Sequence, residues 1–126
     1  MAVDLEIKRS SEIKHTIPSG RSSDDYPYAL SDKIFSTKQL SLYSEKVRPG
    51  TKASAPHFHK DLDEIIYVTK GTLEAVEGES RVTLSKGDSV CFYAGSGEKH
   101  YLENNTDSDS EFLIFKMRKS IDDVAY

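Results

Sequence analysis

Tryptophan is absent from this chain of 126 residues, cysteine occurs once, and no apolar run approaches the length of a bilayer span. A single thiol, Cys91, cannot close an intramolecular disulfide and excludes a four-cysteine structural zinc site, so nothing points to an oxidising compartment. The longest purely apolar stretches, such as 112–115, fall far short of the ~20 residues of a membrane helix, and residues 1–10 have no apolar signal-peptide core. Cationic charge is scarce as well. The 17 Lys and Arg are scattered among 21 Asp and Glu, for a net charge of −4, which leaves no concentrated basic face for nucleic acid or an anionic membrane. The expectation is a cytoplasmic protein with a small-molecule partner and with neither nucleic-acid nor membrane partners.

The remaining composition is that of a globule: 37% hydrophobic, 30% charged, seven glycines and four prolines. A chain of this length buries roughly two-thirds of its unfolded surface in one core. Its first 36 residues are polar and turn-rich, with only isolated apolar residues, and lack the period of a core element. They fit a loose arm, or a cover anchored on a hydrophobic sheet by Tyr26, Tyr28 and Leu30.

From Gln39 onward short apolar and alternating runs follow one another, predicting strands at 40–48, 55–59, 64–70, 72–77, 80–84, 89–93, 100–104 and 112–118. No stretch has helical periodicity. Eight short strands with tight connections at 77–79 and 85–88 predict an all-β antiparallel sandwich or small barrel. The chain divides into an N-terminal polar segment with extra strand(s) at 1–38, a barrel at 39–118 and an acidic tail at 119–126, read as a surface appendage. The polar run 104–110 reads as an exposed loop.

His57 and His59 are two residues apart, a spacing that puts both imidazoles on one face of a strand. Glu64 opens the apolar run 64–68, and a turn through 60–63 can fold it back beside the pair; His100 begins a later strand. Three neutral imidazoles and one carboxylate suit a divalent transition metal and leave one or two coordination positions open. A His-x-His pair by itself also arises without a metal.

The surrounding pattern bears on that choice. Gly50, His57, His59, Glu64 and Gly71 occur with spacings that need no gap to fit the first motif of the cupin superfamily, which the chain resembles at every marked position. Gly87, His100 and Asn104 look like counterparts of the second motif. The usual proline there has no match, since Tyr93 or Ala94 occupies its place, and the span from Gly87 to His100 is longer than the commonest pattern. The resemblance covers about residues 39–118. It implies a single-domain jelly-roll β-barrel of two antiparallel sheets, with a metal (Fe, Mn, Ni, Zn, Co or Cu) held near one mouth by His57, His59, Glu64 and His100.

Several residues receive plainer readings. The motif glycines serve positive φ, Asn104 closes a turn, Cys91 packs as a small hydrophobe, and His15 lies apart from the site. If Glu64 and His100 point inward, so do Ile66, Val68, Leu102 and Asn104, while Tyr67 and Tyr101 point away. Covering those two tyrosines is the reason to expect a homodimer. Arg48, Lys52 and Lys99 are candidates for meeting an anion at the mouth.

A divalent ion with one carboxylate carries a local charge of about +1, which favours an anionic oxygen ligand such as a carboxylate, hydroxy-acid or enediolate. Three functions follow: an oxygenase or a sugar or sugar-acid isomerase, a non-catalytic metal-chelated binding or sensing module, and a structural barrel with an empty site. Glu64 speaks against thiol dioxygenation, since cupins of that kind typically use three histidines without it. No residue outside the ligand set presents itself as a general base, so the catalytic residues stay unassigned.

Overall fold

Alternating burial along short strands organises the chain. The computed structural model describes residues 5–18, 26–118 and 124–126. Among them are a 3-10 turn at Ser10–Glu12 and ten strands: β1 (Leu30–Ser36), β2 (Leu40–Val47), β3 (Phe58–His59), β4 (Glu64–Lys70), β5 (Thr72–Glu77), β6 (Ser80–Ser85), β7 (Ser89–Phe92), β8 (His100–Glu103), β9 (Ser110–Met117) and β10 (Val124–Ala125). One sheet has the order β1-β2-β9-β4-β7 and faces a smaller one of order β6-β5-β8; β10 pairs with β3. Every pairing is antiparallel. This is the expected all-β cupin barrel, built from two antiparallel sheets.

The core lies between the sheets, with Val47, Ile66, Val68, Leu73, Leu102 and Phe112 buried. Each such side chain contributes about 1.5–3 kcal/mol relative to exposure. Ile66, Val68, Leu102 and Asn104 are buried as the alternation predicts and Tyr67 stands out on the far side, whereas Tyr101, expected there too, borders the interior cavity. Gly71, between β4 and β5, has φ +73°, and a Cβ there would lie 2.5 Å from the Ser110 hydroxyl. That hydroxyl donates to the Thr72 carbonyl at 2.8 Å and accepts from the Thr72 N–H at 3.1 Å, so β9 begins at Ser110, ahead of its first apolar residue.

Both ends of the chain contribute strands, the first as one of the extra strands expected within 1–38 and the second against the sequence reading. Residues 30–36 form the edge strand β1, so part of the N-terminal segment belongs to the main sheet. Thr16 bridges Ser31 on its outer edge, and the Arg48 guanidinium donates to the carbonyls of Tyr26 (2.6 Å) and Tyr28 (3.2 Å). At the other end, Val124 and Ala125 pair with His59 and Phe58, so this part of the tail is an element of the barrel mouth and not an appendage. The strand expected at 55–59 shrinks to two residues, because Pro56 has no N–H to give a ladder. Cys91 is half-buried on the outer face opposite Ile65, outside the core expected for it, and burial pushes its thiol pKa up. No helix among the described residues is long and apolar enough to cross a membrane.

Candidate metal centre and ligand cavity

Three strand-level contacts bring the four candidate ligands together. His57 and His100 form an isolated antiparallel bridge, exchanging N–H···O bonds of 3.2 and 2.7 Å, so their side chains start as cross-strand neighbours. His59 follows on the same face as His57, two residues along. Glu64 begins β4 opposite Phe92 of β7, and the Phe92 ring stacks on the His100 ring at 4.0 Å and 1°. That stack fixes the imidazole plane. The turn between β3 and β4 is pinned where the Ala94 N–H donates to Asp63 (2.8 Å) and the Gly95 N–H to the His59 carbonyl (2.9 Å). The longer loop before His100 therefore runs back across this turn.

One carboxylate oxygen sits at the focus. Glu64 Oε1 lies 2.9 Å from His100 Nε2, 3.3 Å from His59 Nε2 and 3.9 Å from His57 Nε2. One donor atom from each of the four residues falls within 4.8 Å of all the others. Two ligand atoms that bind an ion at about 2.1 Å and at right angles are about 3 Å apart, so this donor set fits a first-row divalent metal. His57 Nδ1 is 2.7 Å from the Ala55 carbonyl, an acceptor only, so Nδ1 carries the proton and Nε2 presents its lone pair to the cluster. His57, His59, Glu64 and His100 would hold the ion, and the ion would supply Lewis acidity at its remaining positions.

The protonation states agree with that use. Burial opposes the charge on Glu64, yet hydrogen bonds from His100 and His59, with Lys116 nearby, hold its carboxyl well below the usual range. Burial lowers the pKa of His57, outweighing its Ala55 hydrogen bond and the attraction of Glu64, and so favours a neutral imidazole. On the far side of its ring, His100 Nδ1 faces Glu77 Oε2 at 3.8 Å.

The cluster opens into a cavity of about 280 Å³ walled by Ile66, Phe92, Leu102, Phe112 and Ile114. That is near the small end of the range for ligand pockets. The ring of Tyr126, carried in by β10, lies 5.7 Å from the His57 ring and forms part of the rim.

Two charged side chains also face in. Glu45 of β2 and Lys116 of β9 line the cavity. Burial pushes the Glu45 carboxyl up to about 7, against a Ser31 hydrogen bond and the attraction of Lys116. The sequence reading missed both residues. The signal was parity: in β2 the inward set is Ser41, Tyr43, Glu45 and Val47, paired with Lys116, Ile114, Phe112 and Ser110. The three candidate cations, Arg48, Lys52 and Lys99, do not line the cavity. Arg48 holds Tyr26 and Tyr28, the Lys52 ammonium lies 4.7 Å from the Tyr101 ring centre, and Lys99 is exposed. His15 is remote, with Nε2 2.8 Å from the Ser44 hydroxyl on the outer face. Asn104 is structural: its amide donates to the Val47 and Ser108 carbonyls (2.9 and 2.7 Å) and its oxygen accepts from the Thr106 N–H (2.9 Å) and hydroxyl (2.6 Å).

Comparison with known proteins agrees with this architecture. The chain is 31% identical over 111 residues to an oxalate-binding protein of Thermotoga maritima, covering 85% of this chain and 89% of the relative. A sugar phosphate isomerase of the cupin superfamily from Silicibacter pomeroyi DSS-3 superposes with a TM-score of 0.77 at 25% identity, over 97% of this chain and 81% of that one. A structure from Acidithiobacillus ferrooxidans, proposed to be a sugar phosphate isomerase, matches with a TM-score of 0.71 at 19% identity; it covers 78% of this chain and 64% of that one, and bears on the fold alone. Residues 43–116, more than half of the sequence, match the family described as Cupin domain, and the chain belongs to that family as a small single-domain member.

Proposed function

We propose that this protein is a metal-dependent cupin that holds a divalent transition metal through His57, His59, Glu64 and His100. In the adjoining cavity it acts on a small anionic oxygenated metabolite, with oxygenase or sugar or sugar-acid isomerase chemistry. The observation that carries this reading is the convergence of four buried or half-buried donors on one point of a cavity that opens at the barrel mouth. A bound divalent ion would leave that point with a charge of about +1 and with open positions, a combination suited to a chelating carboxylate or hydroxy-acid. A neutral apolar ligand would gain little from it.

The relative named as an oxalate-binding protein supports a second reading, in which the metal chelates a small acid without turnover. The isomerase neighbour supports the catalytic one. The exposed apolar outer face of the larger sheet further supports a homodimer, in which a second copy covers that face.

Elemental analysis of the purified protein is the first test. About one transition metal per chain is expected, and its loss in the double variant His57→Ala/His59→Ala with the β-sheet circular dichroism retained. A chain that takes up no metal even on reconstitution contradicts the reading. The identity of the ion then separates the chemistries, since zinc excludes oxygen activation whereas iron or copper permits it. Oxygen consumption by iron-loaded protein across catechols, flavonols and keto acids distinguishes oxygenase from isomerase. Ligand-induced thermal shifts without turnover select the binding module.

A further inference from the structure

Lys116 and Glu45 are cavity residues that a three-histidine, one-carboxylate cluster does not require. Lys116 stands directly across from Glu64 of β4 on one side and from Ser41 of β2 on the other, about 5 Å per strand step from the cluster. Among the described residues its ammonium forms no ion pair. Glu45 projects from the same sheet face, opposite Phe112 of β9 and Ser31 of β1.

The groups facing Glu45 are few. From β1 comes the Ser31 hydroxyl, from β9 the Lys116 ammonium and from β4 the Glu64 carboxylate. Ser54, His57, His59, His100, Tyr101 and Tyr126 complete the polar part of the wall. A half-buried carboxyl lining the same cavity as one cation and one carboxylate feels opposing fields from them, and desolvation tips it towards the neutral acid, in line with its elevation to about 7.

We propose that the cavity takes up a small dicarboxylate together with a proton, Lys116 pairing with the ligand's carboxylate and Glu45 lying alongside as the neutral acid. This inference rests on the metal-dependent reading above. Charge decides it. A divalent ion, the Glu64 carboxylate and the Lys116 ammonium together carry about +2 in a poorly solvated space. A dianion brings that total to zero only when Glu45 is neutral; with Glu45 ionised, the filled cavity holds an unpaired negative charge. A monoanion behaves oppositely and leaves the cavity neutral with Glu45 ionised. The pocket therefore couples ligand charge to proton uptake and places an exchangeable proton beside the bound acid.

Calorimetry with two probes tests this. Oxalate and glycolate are titrated into protein loaded with the divalent ion it retains, at pH 7.5, in buffers of differing ionisation enthalpy. Oxalate should take up more than about half a proton per site and glycolate close to none. Glu45→Gln should abolish the oxalate uptake. Lys116→Met should weaken oxalate at least tenfold with the metal content unchanged, and Lys116→Arg should retain most of the affinity. Proton uptake equal in Glu45→Gln and the parent, or oxalate affinity within twofold in Lys116→Met, overturns the inference and leaves the metal-dependent reading standing. Failure of both acids to bind the loaded parent also overturns the inference, and the metal content of that same sample decides the metal-dependent reading separately.

Discussion

Glu45 carries a stability consequence separate from ligand binding. Its carboxyl is raised from 4.5 to about 7 in the folded protein, so between those values the native state holds a proton that the unfolded chain has released. Stability must then fall as pH rises through that window and level off above it, by about 3 kcal/mol for a shift of this size. His57 works the other way. Its lowered pKa makes the unfolded chain the better proton binder, so its contribution is lost as pH falls through the usual imidazole range. Urea denaturation of metal-free protein from pH 4.5 to 8, compared with Glu45→Gln, separates the two, since His57 is common to both. The variant is expected to match the parent near pH 4.5 and to exceed it above pH 7. Curves that stay parallel throughout would show that Glu45 ionises freely in the fold.

Among the elements, the β8–β9 connection depends most on one side chain. Asn104 is fully buried and ties the carbonyls of Val47 and Ser108 to the N–H and hydroxyl of Thr106. Asn104→Ala removes both ends of that network and leaves buried groups unpaired, so a loss of about 3 kcal/mol is expected in chemical denaturation. A loss below 1 kcal/mol would mean that water replaces the amide. The same connection explains why so much was legible beforehand: glycine and polar turns bracket short alternating runs, and the eight strands expected from 40 onward all occur. The four cluster residues were also legible, because two of them share a strand face and the others open strands. β1 was expected only as an unplaced extra strand within 1–38, since the bulge between Lys33 and Phe35 breaks its alternation and Ser31 and Lys33, opposite Glu45 and Tyr43, are polar. Val124–Ala125 is too short to leave a period. Glu45 and Lys116 were invisible for a different reason. In β2 and β9 the outward positions Leu40, Leu42, Leu113, Phe115 and Met117 are as apolar as the inward ones, so the hydrophobic pattern names no face and the charged residues read as solvated.

That doubled pattern has its meaning at the level of the whole molecule. A sheet with one solvated face alternates apolar with polar, whereas this one carries a second apolar set on its back. Phe35, Leu42, Phe115, Ile65 and Cys91 are consecutive cross-strand partners running across all five strands. Leu40 and Met117 flank that row on one side, Leu113 and Tyr67 on the other. Exposure across Leu40, Ile65, Tyr67, Phe115 and Met117 ranges from 40% to 56%, a contiguous patch of the kind that marks an interaction surface. If a second copy covers it, light scattering coupled to size exclusion gives a dimer mass for the parent. Ile65→Lys and Phe115→Glu, at the centre of the row, each weaken the pairing by about 2 kcal/mol or more and together shift the mass to that of one chain. Both substitutions lie behind the sheet whose front bears Glu64, Glu45 and Lys116, so metal content should not change. A parent chain that elutes as a monomer at micromolar concentration overturns the dimer, whatever the variants do.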